Sequence, residues 1–315
     1  MRPGPLLAIV GPTAVGKTAV AIEVALRLRG EVISADSMQV YRGLDIGTAK
    51  PTPEERRGVP HHLIDICDPG ENFSVFQFRL LADALIEDIQ ARGRLPILVG
   101  GTGFYVRAVL REYGFPELDP DPAIRRRLEE VARAHGPLAL HERLRAVDPA
   151  AAERIHPHNV KRVIRALEVY EQTGQPISSL HRATWAPRYD ALVVGLTLER
   201  SELYRRIEAR TDAQLAAGWL EEVVRLVNAG VPATTGPLTG LGYRHLVGYL
   251  RGLVTWEEAV ASIKRDTRRY AKRQFTWLRR EEGVTWLDMA AGVEAVAAEI
   301  VRLVTGKWPG RVEKA

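Results

Sequence analysis

An α/β fold is predicted for this chain: a parallel sheet flanked by helices, with an all-helical domain inserted into it. Three observations predict it. Short apolar runs alternate with amphipathic stretches through the first third of the chain. A glycine-rich loop ending in Lys17-Thr18 joins the first such run to the first such stretch. From residue 123 to residue 180 only helical patterning remains, before one more apolar run at 191–198.

In chain order, Leu6-Leu7-Ala8-Ile9-Val10 reads as a buried strand, and residues 19–28 as a helix with Val20, Val24 and Leu28 on one stripe. Glu31-Val32-Ile33-Ser34 is a second strand. Ser74 is placed to cap a helix through Gln90, with Leu81, Leu85 and Ile89 at helical spacing. Leu95-Pro96-Ile97-Leu98-Val99 is a further strand closed by Gly100-Gly101, and a helix follows from about Thr102 to Arg111. Pro116, Pro120 and Pro122 then break any regular element. After the run at 191–198 the chain reads as mostly helical, with a long helix at 257–280. The expected division is a core of residues 1–115 and 190–315 and a helical insert of 116–189.

With 315 residues the chain has room for about two domains. Its single cysteine, Cys67, excludes an intramolecular disulfide and fits a reducing cytoplasm. No stretch approaches the ~20 apolar residues of a membrane span, so a cytoplasmic protein without a membrane partner is expected. The net charge of +5 is compatible with a polyanionic partner. Only seven of the 44 basic residues are Lys. Arginine suits bidentate phosphate contacts, and a biased genome composition would give the same count.

Gly11-Pro12-Thr13-Ala14-Val15-Gly16-Lys17-Thr18 matches G-x-x-x-x-G-K-[ST], the P-loop pattern, between a predicted strand and a predicted helix. Glycines let successive N–H groups turn inward onto phosphate oxygens, and the following helix presents its positive end. Lys17 supplies a mobile charge, and the Thr18 hydroxyl suits a Mg²⁺ ligand. A nucleotide triphosphatase would also need an apolar strand ending in an acidic metal partner. Leu63-Ile64-Asp65 is the nearest match, and it is short. His61 and His62 before it read as packing or hydrogen-bonding residues, since no further ligand stands at metal spacing.

Asp36 follows the second strand, where ligands of open α/β sheets bind. A carboxylate there could take a proton from a nucleophile, or simply cap a turn. Lys50 adds a charge in a loop near the site. Thr102, in Gly100-Gly101-Thr102-Gly103, offers a hydroxyl at the same sheet edge and also suits a helix N-cap. Lys161, Arg162 and Arg165 accompany the apolar Val163 and Ile164 on a helix of the insert, a pattern that a solvated face also gives. In the last long helix Lys264, Arg265, Arg268, Arg269, Lys272, Arg273, Arg279 and Arg280 accompany one acid, Asp266. Ile263, Thr267, Tyr270, Gln274 and Trp277 recur at core spacing there, which leaves the basic faces for phosphates.

Together these segments resemble the tRNA dimethylallyltransferases, also called tRNA isopentenyltransferases, over residues 6–281. The resemblance rests on the glycine loop and on Ser34-Ala35-Asp36-Ser37-Met38-Gln39-Val40-Tyr41-Arg42-Gly43-Leu44-Asp45-Ile46-Gly47-Thr48-Ala49-Lys50-Pro51. It rests also on Gly100-Gly101-Thr102-Gly103-Phe104-Tyr105, Arg165-Ala166-Leu167-Glu168-Val169 and Thr267-Arg268-Arg269-Tyr270-Ala271-Lys272-Arg273-Gln274. It implies a P-loop NTPase-like core with an inserted tRNA-binding domain, Mg²⁺, and dimethylallyl transfer from dimethylallyl diphosphate to N6 of adenosine 37 in the tRNA anticodon stem-loop. By the same resemblance Asp36 is the base, Ser37, Met38 and Gln39 touch the target nucleotide, and Thr102 positions it. Lys161, Arg162, Val163, Ile164 and Arg165 contact the RNA, and Arg210 meets the diphosphate. Gln214 stands where the family often has Met. No zinc-finger extension follows, which implies the bacterial type, and a monomer is expected.

The chemistry of the residues agrees. Loop amides, Lys17 and a Mg²⁺ on Thr18 would stabilise a departing diphosphate. The adenine amine is a poor nucleophile, so positioning and proton removal both help. An adenine in a stacked loop would have to be extruded, at a cost of a few kcal/mol. Three other readings remain: an adenylate isopentenyltransferase using a free nucleotide, a P-loop kinase or ATPase, and a non-enzymatic RNA-binding protein.

Overall fold

Strand β1 (Pro5–Val10) divides its side chains between two cores. Leu7 and Ile9 pack with Val20, Val24 and Leu28 of helix α1 (Lys17–Leu28). Leu6, Ala8 and Val10 pack on the opposite face with Phe78, Ile86 and Ile89. A strand covered on both faces must be apolar at every position, which is why this segment reads as an unbroken run rather than an alternating one.

The computed structural model describes residues 4–112, 118, 120–180, 186–234 and 236–310. After α1 come strands β2 (Gly30–Ser34) and β3 (His61–His62), helix α2 (Val75–Ala91), strand β4 (Leu95–Gly100) and helix α3 (Gly103–Leu110). Ser74 caps α2 in a reciprocal box with Gln77. The buried stripe of α2 is Phe78, Ala82, Ile86 and Ile89. Leu81, expected on that stripe, is 43% exposed, because the true stripe is rotated about one position from the leucines.

The chain divides into two compact units, one of residues 1–110 with 187–315 and one of residues 111–186. Pro116 of the expected proline break, and with it the first expected insert boundary, lies outside the described residues, whereas Pro122 is the first residue of a helix. The second unit holds helices α4 (Pro122–Val147), interrupted at Gly136-Pro137, and α5 (Val160–Thr173). Its core gathers Leu128, Leu140, Leu144, Val163, Ile164 and Leu167. Glu168 is fully buried there, taking bonds from Arg125 at 2.8 Å and Arg165 at 2.7 Å.

In the first unit the chain continues with β5 (Asp190–Thr197), α6 (Arg200–Ala216), α7 (Trp219–Asn228), α8 (Tyr243–Leu250) and α9 (Trp256–Leu278). Strand β6 (Val284–Asp288) and helix α10 (Val293–Lys307) close it. The six strands run β3-β2-β4-β1-β5-β6, each neighbouring pair parallel. Strands β3 and β6 escape the sequence pattern: both are edge strands, one of two residues and the other only partly buried. Because β2, β4 and β1 are adjacent and parallel, the loops after them emerge together at one sheet edge. Among the described residues no helix is long and apolar enough to cross a membrane.

Candidate active site

The loop between β1 and α1 turns sharply enough that Ala14 has φ 64° and Gly16, the residue capping α1, has φ 105°. Glycine reaches that region without strain, and it brings the amide end of α1 onto the loop. Lys17 Nζ donates to the Pro12 carbonyl at 2.8 Å, which uses one of its three donors. Burial pulls the Lys17 ammonium down to about 8, with the charge of Asp36 opposing that shift and the charge of Arg210 adding to it. Arg210, from α6, donates to the Thr13 hydroxyl. Its guanidinium is held below its usual range by burial, again opposed by Asp36. Lys17, Thr18, Asp36 and Arg210 line one cavity of about 560 Å³.

Asp36 stands just beyond β2, and its Oδ1 accepts the N–H groups of Met38 at 2.8 Å and Gln39 at 3.4 Å. The turn-capping role is therefore real. It engages one carboxylate oxygen, while the residue also borders a second cavity of about 250 Å³ walled by Ser37, Met38, Trp219, Leu241 and Tyr243. Thr13, Asp36, Arg210 and Tyr270 belong to both cavities. Burial and the neighbouring Asp36 charge push the Tyr270 phenol up to about 12, so it remains a donor.

Thr102 accepts the Ser37 N–H at 3.2 Å, and its own carbonyl accepts Val106 N–H at the start of α3. The hydroxyl therefore ties the Asp36 turn to the start of α3, and the backbone carbonyl alone joins the helix. Gln39 is different. Its Oε1 accepts the Ser34 hydroxyl at 3.0 Å, and its Nε2 donates to the Thr48 and Ala49 carbonyls. Its amide thus holds the loop, while the residue also lines the cavity of the glycine loop.

Lys50 needs correcting. Its side chain is 4% exposed and pairs with Asp45 at 2.7 Å and with Asp65, and its Nζ donates to the Tyr41 carbonyl. It pins the loop. Asp65 is consequently a partner of Lys50, not an acid beside the glycine loop. His62 bonds Glu31 at 2.8 Å and His61 bonds the Val59 carbonyl at 2.9 Å, the hydrogen-bonding roles expected of them.

Two buried polar groups of the site were not singled out by sequence reasoning. Gln274 of α9 bridges Thr13 N–H and the Gly101 carbonyl. It was assigned to the core face of α9, where an amide among apolar residues was the available signal. Glu222 of α7 is 1% exposed and accepts the N–H groups of Asp45, Ile46 and Gly47 and the Tyr243 hydroxyl. Gln214 donates to the Ile46 carbonyl at 2.6 Å, so the loop carrying Thr48 is held from two helices.

In the second unit Lys161 and Arg162 are exposed. Val163 is 0% and Ile164 5% exposed, inside the core of that unit, so the RNA contact expected of their side chains does not hold. Arg165 is engaged with Glu168 and with the Leu118 carbonyl. The basic faces of α9 are also less open than expected. Lys264 pairs with Asp212, Arg268 with Glu208, and Arg265 and Arg269 with Asp266.

Comparison with known proteins follows the same residues. A family model described as IPP transferase matches residues 39–281, and one described as Isopentenyl transferase matches residues 4–68. A tRNA dimethylallyltransferase of Symbiobacterium thermophilum is 59% identical, covering 98% of each chain. Another, of Geobacillus kaustophilus, is 52% identical over 95% of this chain and 96% of its own. Among solved structures, the tRNA isopentenylpyrophosphate transferase of Bacillus halodurans superposes with a TM-score of 0.73 at 47% identity, covering 98% of this chain and 97% of that one. A eukaryotic dimethylallyltransferase acting on tRNA superposes with a TM-score of 0.82 at 27% identity, covering 97% of this chain and 79% of that one.

Proposed function

The chain belongs to the IPP transferase family, and from that premise we propose that it transfers a dimethylallyl group from dimethylallyl diphosphate to N6 of adenosine 37 in tRNA. The observation that carries the site assignment is the place of Asp36, on the cavity of the glycine loop and on the adjoining cavity at once. One cavity has the cations and amides for a diphosphate, the other has the rings of Trp219, Tyr243 and Tyr270 together with polar groups such as Thr48, Thr211 and Gln214 for a base, and the carboxylate belongs to both.

The residues divide the work. The loop amides, Lys17 and Arg210 hold the diphosphate, with Arg210 fixed by Thr13. The bond from the allylic C1 to the diphosphate oxygen breaks as the bond from N6 to C1 forms. The electron pair leaves with the diphosphate, and the N6 proton passes to Asp36 and on to solvent. Thr102 holds the Ser37 end of the Asp36 turn, so the carboxylate meets the amine in a set orientation.

Mg²⁺ fits this donor set. Thr18 supplies one hydroxyl at the cavity wall. Among the described residues there is no cluster of three or more His, Cys, Asp or Glu to hold a metal by themselves. That suits an ion that keeps several waters and binds mainly substrate phosphate oxygens. When bound it would neutralise charge on the leaving diphosphate.

In the second unit the exposed Lys161 and Arg162 are the RNA contacts this reading keeps. The deciding experiment is mass analysis of nucleosides from tRNA incubated with the protein, dimethylallyl diphosphate and Mg²⁺, with AMP as a parallel acceptor. N6-isopentenyladenosine from tRNA supports the proposal. Prenylated AMP with unmodified tRNA would move the chain to the free-nucleotide reaction, and splitting of ATP alone would end the transferase reading.

A further inference from the structure

Helix α3 begins beside the turn that carries Asp36, and its first exposed side chain is aromatic. Thr102, which receives the Ser37 N–H, is followed by Gly103 and then by Phe104, 45% exposed. Gly103 permits the contact that builds this surface. A Cβ there would lie 2.3 Å from Cε3 of Trp277, so the indole rests against bare backbone. The Arg107 guanidinium, on the same face of α3 as Phe104, stacks 4.4 Å from the centroid of that indole and pairs with Glu281.

On α9, Arg273 stands four residues before Trp277, and Arg280, in the turn after the helix, donates its N–H to the Trp277 carbonyl at 3.1 Å; both are exposed. Arg273 also lies over the ring of Tyr270, at 5.7 Å, and Tyr270 borders both cavities. Tyr270, Arg273 and Trp277 therefore succeed one another along α9, from a residue lining the reacting site to the indole packed on Gly103. A single exposed phenylalanine is ordinary on a protein surface. Phe104 differs in its place: two residues from the hydroxyl tied to the Asp36 turn, next to the glycine that packs on Trp277, and one helical turn before the arginine stacked on that indole.

Unpaired RNA bases are held by surfaces of this composition, aromatic faces taking the base and guanidinium groups the phosphates. We propose that Phe104, with the Trp277–Arg107 stack beside it, is a stacking platform for the unpaired base next to the adenosine being modified, with Arg273 and Arg280 serving the adjoining phosphates. The inference rests on the tRNA reading above. It accounts for part of the cost of extruding an adenosine, since the neighbour that loses a stacking partner gains an aromatic one. It also implies weak base preference at that neighbouring position, because every base offers a π face.

The test uses an anticodon stem-loop carrying 2-aminopurine on either side of the target adenosine, with wild type, Phe104→Ala, Phe104→Leu and Phe104→Trp. Wild type should change the fluorescence of one neighbour on binding. Phe104→Ala should lose that change and raise KM for RNA roughly tenfold, with KM for dimethylallyl diphosphate unaltered. Phe104→Trp should restore both properties and Phe104→Leu neither. Wild-type RNA KM in Phe104→Ala, or full rescue by leucine, overturns the platform while leaving the transferase reading in place. A wild type that modifies no RNA would instead remove the reading beneath it.

Discussion

Gln274 joins the glycine loop to the next strand: its Oε1 accepts the Thr13 N–H at 2.8 Å, and its Nε2 donates to the Gly101 carbonyl at 2.9 Å. One amide thus sets the spacing between the loop after β1 and the loop after β4. Gln274→Leu would leave the buried Gly101 carbonyl without this partner, at about 1–3 kcal/mol, and free the partly buried Thr13 N–H at a smaller cost. The expected outcome is a lower urea midpoint and a raised KM for dimethylallyl diphosphate. Gln274→Glu should recover only part of the loss, because its carboxylate suits Thr13 N–H and repels the Gly101 carbonyl. A donor KM unchanged in Gln274→Leu would show that the bridge does not shape the loop.

Asp36 combines a structural bond with a chemical task, and Asp36→Asn separates them. The amide oxygen can still accept the Met38 N–H, so the turn should persist. The proton acceptor is lost. Single-turnover transfer to RNA should slow by about 10²–10⁴-fold while the affinity for donor stays near wild type. A variant that transfers at the wild-type rate would remove Asp36 from the role of base.

Lys17 gives the reaction an alkaline limit. Its pKa is lowered to about 8, so the ammonium is charged below that pH and discharged as pH rises through it. The kcat/KM for dimethylallyl diphosphate, which reports the unliganded protein, should therefore decline above about pH 8, approaching about tenfold per further unit. Lys17→Arg keeps its charge and should flatten that limb, at whatever lower absolute rate its shape allows. An identical alkaline limb in the arginine variant would assign the titration to another group.

The basic residues of α5 should separate into two behaviours. Replacing exposed Lys161 and Arg162 by alanine should weaken RNA binding and reduce the salt slope by ~0.7–0.9 for each phosphate no longer neutralised. Arg165→Ala should instead destabilise the second unit by about 1–3 kcal/mol, since Glu168 is buried and is deprived of one of its charged partners. Urea unfolding and a salt titration of RNA binding, run on both variants, check this. A steeper loss of RNA affinity in Arg165→Ala than in the double variant, at unchanged stability, would reverse the assignment.

The chain by itself determined the elements whose reasons are local. A P-loop needs its glycines, lysine and threonine at set spacing, and a buried parallel strand needs an unbroken apolar run. The loop at 11–18, the strand ahead of it and the placement of Asp36 beyond the second strand were therefore legible. What tertiary structure decided was partnership. Lys50 and Arg165 look in sequence like any surface cation, and only the arrival of Asp45, Asp65 and Glu168 makes them pins of a loop and of a core. Gln39 reads as a ligand contact, and only the fold shows that its amide also ties the Ser34 hydroxyl to the carbonyls of residues 48 and 49. Gln274 reads as packing until Thr13, 261 positions away, is brought beside it. A side chain has a small number of donors and acceptors, and long-range folding assigns them to neighbours that no spacing along the chain reveals.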